Sequence, residues 1–241
     1  MNENFFSQLN NINLNLDENK LKLLKKYCDM VIEGNKKFNL VSNADFNTIM
    51  LEHIADSLSF SMVKINEYKI ANNFKMMDIG AGGGFPGVPI GILNPDANIT
   101  LTESINKKCL FLKEIADEFK DINFNVINER LEIVGNNSEH REKYDIVTAR
   151  ALSNINTLLE YALPLVKIGG IFVAYKTENT IDELKETSKA LKILGGKVDN
   201  IIKYDFIDKD LKRALIIIKK VNKTNNKYPR QVGIPLKKPL K

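Results

Sequence analysis

The chain is poor in the residues and patterns that mark several special classes of protein. Its 241 residues include only two cysteines and two histidines, and no apolar run approaches the length of a membrane span. The first ten residues, MNENFFSQLN, lack the basic start and apolar stretch of a secretory signal. Cys28 and Cys109 fall among apolar residues in helix-like segments, which predicts buried, reduced thiols. We therefore expect a cytoplasmic globular protein with no disulfide framework, no membrane contact and no bound metal.

Acidic residues are missing from the end of the chain. The net charge is +5, yet residues 219–241 hold eight basic side chains and no acidic one, so the remainder of the chain is slightly acidic. A basic tail of this kind can contact a phosphate backbone, or it can be a solvated end, and charge alone does not distinguish the two.

Short apolar runs alternate with helix-like segments from Lys75 onward. Strands are predicted at residues 75–80, 98–104, 122–128, 144–150 and 171–176, and helices at residues 86–93, 106–119, 154–166 and 180–194. This alternation predicts a parallel sheet covered by helices on both faces. The last two strand-like runs, residues 197–206 and 212–220, are joined by so short a connection that they must pair in antiparallel fashion. The chain is therefore predicted to be an α/β protein with a mostly parallel seven-stranded sheet and a terminal antiparallel hairpin.

A helical segment precedes the predicted sheet. Apolar residues recur at helical spacing over residues 17–40 and 45–62, and Asp17 is placed to cap the first of these helices. We therefore divide the chain into a helical N-terminal segment over residues 1–70, which packs on the core, a ligand-binding domain over residues 71–221 and a basic C-terminal tail over residues 222–241.

A glycine-rich loop follows the first predicted strand, in the sequence DIGAGGGFPG from Asp78 to Gly87. A strand, a glycine loop and a helix together form the arrangement that binds a ligand at the carboxyl end of a parallel sheet. The glycines are spaced Gly80-x-Gly82-x-Gly84, with a degenerate dinucleotide match through Gly87. The lysine of a nucleoside-triphosphate loop is missing, so that class of ligand is disfavoured.

Acidic residues beside this loop indicate which ligand it takes. Asp78 would repel a pyrophosphate at close range, but it suits the cationic sulfonium and ammonium groups of S-adenosylmethionine. Glu103 ends the next strand, where an acid accepts hydrogen bonds from both ribose hydroxyls. Glu132 follows the third strand, near the position expected for an adenine. S-adenosylmethionine is therefore the predicted cofactor, and a nicotinamide-dependent oxidoreductase is the alternative that the degenerate glycine match leaves open.

More specific patterns extend over nearly the whole chain, in MMDIGAGGGFPGVPIGIL, LTESINKKCLFLKEI, YDIVTARALSNINTLLEYALPLVKIGG and KYPRQVGIPLKKPL. They resemble the small-subunit ribosomal RNA methyltransferase G family, also called RsmG or GidB. The resemblance implies a Rossmann-like, class I S-adenosyl-L-methionine-dependent methyltransferase fold. It also implies methylation of N7 of one guanine, guanine 527, in 16S ribosomal RNA. The implied partner is 16S ribosomal RNA or the small ribosomal subunit, and we expect the protein to be a monomer.

The loop and the resemblance together imply which residues contact the cofactor and the RNA. Cofactor contacts are expected at Asp78, Gly80, Gly82, Gly84, Phe85, Glu103, Leu131, Glu132 and Arg150. RNA contacts are expected at Arg130, Lys176, Tyr228, Arg230, Lys237 and Lys238. The sequence departs from the family at Leu131, where alanine is usual, at Glu103, where aspartate is usual, and after Lys176, where glycine is common.

The implied chemistry needs positioning rather than proton transfer. Guanine N7 carries a lone pair and no proton, so the enzyme has only to hold nucleophile, methyl carbon and sulfur in line. We expect Arg150 to position the target base by stacking, or through O6 or a phosphate. A cysteine nucleophile, which methylation of cytosine C5 would need, is disfavoured because both cysteines are in predicted helices. A non-catalytic rRNA-binding protein with a methyltransferase fold is the second alternative.

The basic tail and the resemblance meet in the sequence KYPRQVGIP. Its prolines oppose helix formation and favour an extended path, which can lie along an RNA groove. Tyr228 and Arg230 are of the residue types that stack on unpaired bases. A chain ending at Asn222 is therefore expected to keep its affinity for the cofactor but to lose methylation of ribosomal RNA.

Overall fold

The protein is built on one seven-stranded sheet, and the computed structural model describes residues 3–206 and 212–240. The strands are β1 (Lys75–Ile79), β2 (Asn98–Glu103), β3 (Asn123–Asn128), β4 (Tyr144–Arg150), β5 (Val166–Thr177), β6 (Gly196–Asp205) and β7 (Lys212–Lys220). Their order across the sheet is β3-β2-β1-β4-β5-β7-β6. The strands β1 to β5 run parallel, and β7 pairs antiparallel with both β5 and β6. The predicted fold is thereby confirmed, although the connection predicted at residues 207–210 lies outside the described residues.

Ten α-helical segments surround the sheet in the described part of the chain. They are α1 (Glu3–Asn11), α2 (Glu18–Phe38), α3 (Phe46–Thr48), α4 (Asp56–Leu58), α5 (Gly87–Leu93), α6 (Asn106–Glu118), α7 (Leu131–Asn136), α8 (Ile155–Ala162), α9 (Ser188–Leu194) and α10 (Ile234–Lys237). A π-helix (Ile49–Ala55) joins α3 to α4, and 3-10 helices cover Ser59–Met62, Ile65–Tyr68 and Glu178–Glu186. None of the helices in residues 3–206 and 212–240 is long and apolar enough to cross a membrane.

The sheet separates two apolar cores. Successive residues of a strand point to opposite faces, so Met76 of β1 enters one core and Met77 enters the other. The first core also contains Phe5, Tyr27 and Phe111, which means that the N-terminal helices and α6 share one packed layer. The second core lies under α7, α8 and α9. The N-terminal helices thus pack directly on one face of the sheet in the described part of the chain.

Several local predictions differ from the structure. The helix predicted over residues 45–62 is broken into α-helical, π-helical and 3-10 turns, and the π-helical carbonyl of His53 accepts a side-chain bond from the Ser57 hydroxyl. The helix predicted over residues 180–194 is a 3-10 helix followed by the shorter α9. The strand predicted to begin at residue 171 begins at Val166, so Gly169 and Gly170 lie inside β5, where Gly169 has φ +88° and the pairing with β4 changes register. The short helices α1, α7 and α10 carry no clear sequence signal.

The chain after β7 folds back along α7 and α8 instead of leaving the domain. The guanidinium of Arg141 donates to the backbone oxygens of Thr224 (2.9 Å) and Tyr228 (2.8 Å). Farther along, the Thr157 hydroxyl of α8 donates to the Pro235 carbonyl at 3.2 Å. We call residues 222–240 the C-terminal segment. It reaches the end of the sheet where the glycine loop lies.

Candidate active site

The glycine loop has a backbone that other residues rarely adopt. Gly80, Gly82 and Gly84 have φ values of +69°, +57° and +98°. A Cβ at Gly80 would lie 2.7 Å from Cδ1 of Leu152, and one at Gly84 would lie 2.7 Å from Cγ2 of Val88. Gly82 has open space around its Cα, so its requirement is conformational alone. The three glycines are therefore explained by the shape of the loop and, at Gly80 and Gly84, by close packing.

Elements on both sides of the loop hold it in place. The hydroxyl of Tyr27, which is buried in α2, donates to the Gly83 carbonyl at 2.7 Å. The Ala81 N–H donates to the Thr102 carbonyl of β2 at 3.0 Å, and the ring of Phe85 packs against that of Tyr27 at 5.3 Å. The N-terminal helical segment is therefore part of the support of this loop.

Asp78 lies beneath the loop. Its side chain is fully buried, and its two oxygens accept the Gly87 N–H (2.9 Å) and the Thr148 hydroxyl (2.9 Å). Burial raises its pKa to about 7, although those two hydrogen bonds act in the opposite direction. The sequence predicts Asp78 in contact with the cofactor; Asp78 is not among the residues that line the pocket, and that contact stays a prediction. Its observed contacts tie β1 to β4 and to the start of α5.

A pocket opens at the carboxyl ends of β1, β2 and β3, beside the loop. It is lined by Gly80, Thr102, Glu103, Ser104, Glu129, Arg130, Leu131, Glu132, Leu152, Ser153, Tyr161, Gly233 and Leu236. This lining includes four residues predicted to contact the cofactor, which are Gly80, Glu103, Leu131 and Glu132. It also includes Arg130, which is predicted to contact RNA. Gly82, Gly84, Phe85 and Arg150 belong to the surroundings of the pocket and do not line it.

Glu103 connects the end of β2 to the loop. Its Oε2 accepts the Gly82 N–H at 3.1 Å, and its Oε1 accepts the N–H groups of Ser104 (2.7 Å) and Ile105 (2.9 Å). The side chain is only 8% exposed. Each carboxylate oxygen has two lone pairs, so Oε2 still has capacity for a ligand hydroxyl. The carboxylate is thus held rigidly where the pocket begins.

Glu132 is fixed by residues that sequence reasoning missed. Its Oε1 accepts the Gly233 N–H at 2.8 Å and the Tyr161 hydroxyl at 3.3 Å. Tyr161 is in α8, and its pKa is raised to about 12, mainly by burial and further by the Glu132 charge. Gly233 and Leu236 bring the C-terminal segment into the wall. The one sequence signal for this part of the wall is the glycine of QVGIP, Gly233, whose φ of +81° is a conformation that favours glycine.

Arg150 ends β4 and is held by the N-terminal helical segment. Its Nη1 donates to the His53 carbonyl (3.0 Å) and to Oδ2 of Asp56 (3.0 Å), and its Nη2 pairs with Nδ1 of His53. Its guanidinium carbon lies 5.6 Å from the ring centre of Phe85. The Arg150 side chain is 13% exposed and that of Asp56 is 2% exposed. The guanidinium is therefore fixed in one orientation beside the glycine loop.

The residues predicted to contact RNA have different environments. Lys237 and Lys238 are exposed, and Arg130 is exposed at the rim of the pocket. Lys176 donates to the Ser153 carbonyl at 2.5 Å, so it supports the loop after β4, and burial lowers its pKa. The last two predicted contacts are in the C-terminal segment.

Tyr228 is half-buried, and its carbonyl accepts a bond from Arg141. Arg230 is paired with Glu160 of α8, which is fully buried. These two residues are thus engaged within the protein in the described structure.

The chain matches a family model. The model described as "GidB: rRNA small subunit methyltransferase G" covers residues 20–228. The chain is 40% identical to ribosomal RNA small subunit methyltransferase G of Clostridium tetani over 98% of this chain and 97% of that protein. It is 42% identical to the protein of that name from Desulforamulus reducens, over 93% of this chain and 92% of that protein.

The chain belongs to the rRNA small subunit methyltransferase G family. Membership makes it a ribosomal RNA methyltransferase with S-adenosylmethionine as its cofactor, and it replaces the nicotinamide-dependent alternative. Among solved structures, the CurJ carbon methyltransferase matches with a TM-score of 0.54 at 14% identity, over 87% of this chain and 72% of that one. The ribosomal protein L11 methylase of Lactobacillus delbrueckii matches with a TM-score of 0.51 at 11% identity, over 70% and 80%. These two likenesses concern the fold alone.

The pocket is chemically suited to S-adenosylmethionine. Glu103, Glu129 and Glu132 give its wall three carboxylates, which fit the ribose hydroxyls, an exocyclic amine and a cationic ligand rather than a pyrophosphate. The Oγ1 of Thr102 is buried in the lining and has no hydrogen-bond partner within the described residues. An unused hydroxyl at this point is consistent with a polar group of a ligand.

Proposed function

We propose that this member of the rRNA small subunit methyltransferase G family methylates N7 of guanine 527 in 16S ribosomal RNA. The observation that carries the proposal is the composition of the pocket wall. Among the described residues, the lining includes neither a cysteine nor a histidine. Transfer to N7 requires neither a covalent nucleophile nor a general base, because the attacking nitrogen carries no proton. The site therefore has what this reaction requires, which is a rigid place to hold two reactants.

The positions of both cysteines support the choice of reaction. The thiol of Cys109 donates to the Glu103 carbonyl at 3.1 Å, and that of Cys28 donates to the Phe46 carbonyl at 3.8 Å. Burial raises the pKa of Cys28 to about 12 and that of Cys109 to about 11, so neither is a thiolate near neutral pH. A thiolate attack, as in cytosine C5 methylation, has no candidate among them.

Three groups of residues would hold the cofactor. Glu103 would accept the ribose hydroxyls, since its oxygens lie between the glycine loop and the end of β2. Leu131 and Glu132 would border the adenine, and the backbone around Gly80 would face the methionine part. When bound, S-adenosylmethionine supplies an electrophilic methyl group on a sulfonium. Asp78 would act indirectly, by holding the loop through the Gly87 N–H.

Arg150 would define the side from which the RNA base enters. Its guanidinium is locked by His53 and Asp56, and it lies over Phe85 beside the glycine loop. A fixed planar cation can stack on a purine, donate to guanine O6 or neutralise a phosphate. A bond to N7 itself would oppose the reaction, because it would occupy the attacking lone pair. Arg150 is therefore proposed as a positioning residue for the base.

The RNA would approach over the exposed cations at the rim of the pocket. Arg130 lines the rim, and Lys237 and Lys238 follow Leu236 of the wall directly. Cations near the site favour binding of a polyanion. A ribosomal RNA substrate supports a cytoplasmic location.

Mass mapping of modified nucleosides in 16S ribosomal RNA tests the proposal. RNA from cells with the protein is expected to contain 7-methylguanosine at position 527, and RNA from cells lacking it is expected to contain unmodified guanosine. Purified protein with S-adenosylmethionine is expected to restore the methyl group in vitro on RNA or on small subunits. A methyl group at another atom or nucleotide would refute the proposed specificity, and no transfer to either substrate would favour the non-catalytic RNA-binding alternative.

A further inference from the structure

The C-terminal segment is clasped to the sheet domain by a buried ion pair. The Arg230 guanidinium donates to both oxygens of Glu160, with Nη2 to Oε2 at 2.6 Å and Nε to Oε1 at 2.9 Å. The Arg230 backbone N–H also donates to Oε1 at 2.8 Å. Glu160 is fully buried in α8, and leaving a buried carboxylate without its partner is strongly destabilising. Arg230 is therefore committed to the protein interior in a way that its sequence context does not reveal.

The clasp sets the position of the residues that follow it. Nη2 of Arg230 donates to the Lys238 carbonyl at 2.7 Å, which closes the intervening residues into a compact turn around α10. Within this turn, the Gly233 N–H reaches Glu132 at 2.8 Å, and Leu236 lines the pocket although its side chain is 59% exposed. The Leu236 side chain is therefore part of the wall that a ligand bound in this pocket would face.

We propose that the C-terminal segment is the adenine-side wall of the cofactor site, in which Leu236 contacts the adenine and Arg230 positions that wall. The inference rests on the proposed location of the cofactor and adds to it a segment far away in sequence. The adenine assignment follows from the contact of this segment with Glu132, whose Oε1 accepts the Gly233 N–H, and from Leu236 in the same lining. Glu132 follows β3, and β2, which ends at Glu103, lies between β3 and the strand β1 that leads into the glycine loop.

Substitution of an exposed residue tests the wall without a folding defect. Leu236→Ala is expected to weaken binding of S-adenosylhomocysteine by about fivefold, since it removes part of an apolar contact. The same fivefold weakening is expected for 5′-methylthioadenosine, which shares only its adenosine part with S-adenosylhomocysteine. Val232→Ala is the matched control, because Val232 is also exposed in this segment (49%) but does not line the cofactor pocket. Calorimetry that gives equal dissociation constants for both variants and the unmodified chain would overturn the role of Leu236.

A second pair of variants tests Arg230. Arg230→Met removes the ion pair with Glu160 and is expected to raise the dissociation constant of S-adenosylhomocysteine more than tenfold. The dissociation constant of Arg230→Lys is expected to lie between those of Arg230→Met and the unmodified chain. The dependence of RNA affinity on salt is expected to stay unchanged in both variants, because the guanidinium faces Glu160. If the slope of log RNA affinity against log salt concentration falls by about one while the affinity for S-adenosylhomocysteine is unchanged, Arg230 contacts a phosphate and the inference is overturned.

The unmodified chain separates this inference from the proposed function. If it binds no S-adenosylhomocysteine at all, the proposed cofactor site is wrong. If it binds the ligand and the Leu236 and Arg230 variants bind equally well, only the C-terminal wall is wrong.

Discussion

Asp56 is the residue through which the N-terminal helical segment controls the proposed active site. Its Oδ2 accepts from Arg150 at 3.0 Å, its Oδ1 accepts from the Tyr204 hydroxyl at 2.8 Å, and Nε of Arg213 lies 3.8 Å from Oδ1. The carboxylate is 2% exposed, so each contact is made in a poorly solvated place. Removing one partner of such a buried pair costs about 3–5 kcal/mol, a large part of the stability of a domain.

Asp56→Asn is the informative change, because asparagine keeps the shape and one acceptor oxygen but removes the charge. Each hydrogen bond that loses its charged acceptor weakens by about 1 kcal/mol, so we expect a loss of about 2–3 kcal/mol. For a chain of this size, such a loss lowers the melting temperature by about 5–10 °C. We also expect kcat to fall by about 10–100-fold at saturating cofactor, since Arg150 is released from its fixed orientation.

The control separates this effect on the site from a general loss of stability. Asp145→Asn changes a carboxylate that is 15% exposed, pairs with Lys167 and accepts the Lys75 N–H at 2.8 Å, at the opposite end of β4. It is expected to lower the melting temperature but to leave kcat unchanged. The measurements are thermal unfolding and transfer of labelled methyl groups to 16S ribosomal RNA, at a temperature where all variants are folded. Equal kcat values for the two variants would refute the link from Asp56 through Arg150 to the reaction.

Four further outcomes are expected. Glu103→Ala should raise the cofactor dissociation constant about tenfold or more, because both a ribose acceptor and the tether to Gly82 are lost; an unchanged constant by calorimetry would remove Glu103 from the site. Gly82→Val should give a folded protein that binds no cofactor, since a β-branched residue disfavours φ of +57°; retained binding with a normal melting curve would contradict this. The pKa of Asp78 rises from 3.8 to about 7 on folding, so the native state holds a proton that the unfolded state has released in that range. Its contribution to the free energy of unfolding is therefore largest below pH 3.8, falls as the pH rises to 7 and is constant above that. In urea unfolding, the difference in free energy of unfolding between pH 5 and pH 8 should be smaller for Asp78→Asn than for the unmodified chain. An identical difference would refute the assignment. A chain ending at Asn222, which the sequence predicts to retain cofactor affinity, should instead lose it, because Gly233 no longer reaches Glu132; calorimetry below the melting temperature decides between the two outcomes.

The sheet and part of the pocket are predictable because their signals are local. The alternation of strands and helices fixes the parallel strands, and the short connection before β7 forces the final hairpin. Gly80 follows β1 and Glu103 ends β2, its neighbour in the sheet, so the two residues meet at one edge. The predicted start of β5 at residue 171 is wrong for a local reason as well. A glycine such as Gly169 can mark either the break before a strand or a bulge inside one.

The remainder depends on pairings between distant residues that a single sequence does not display. Arg230 in a basic tail indicates an RNA contact, and only the fold shows that Glu160, 70 residues away, is its partner within the protein. Tyr161 has the pattern of an ordinary buried aromatic residue, yet its hydroxyl holds Glu132. Asp78 is a similar case, because its position before the loop does not reveal that its carboxylate is fully buried and bonded to Gly87 and Thr148.

The three parts of the chain meet at one site, and the chemistry explains why each part matters. The N-terminal segment supports the loop through Tyr27 and fixes Arg150 through Asp56, while the C-terminal segment holds Glu132 through Gly233. A reaction at guanine N7 has no proton to transfer, so its rate depends on how well the two reactants are held. Residues that touch neither reactant then control the rate by fixing those that do. Substitutions in the supports of the site should therefore reduce methyl transfer more than their cost in stability alone would suggest.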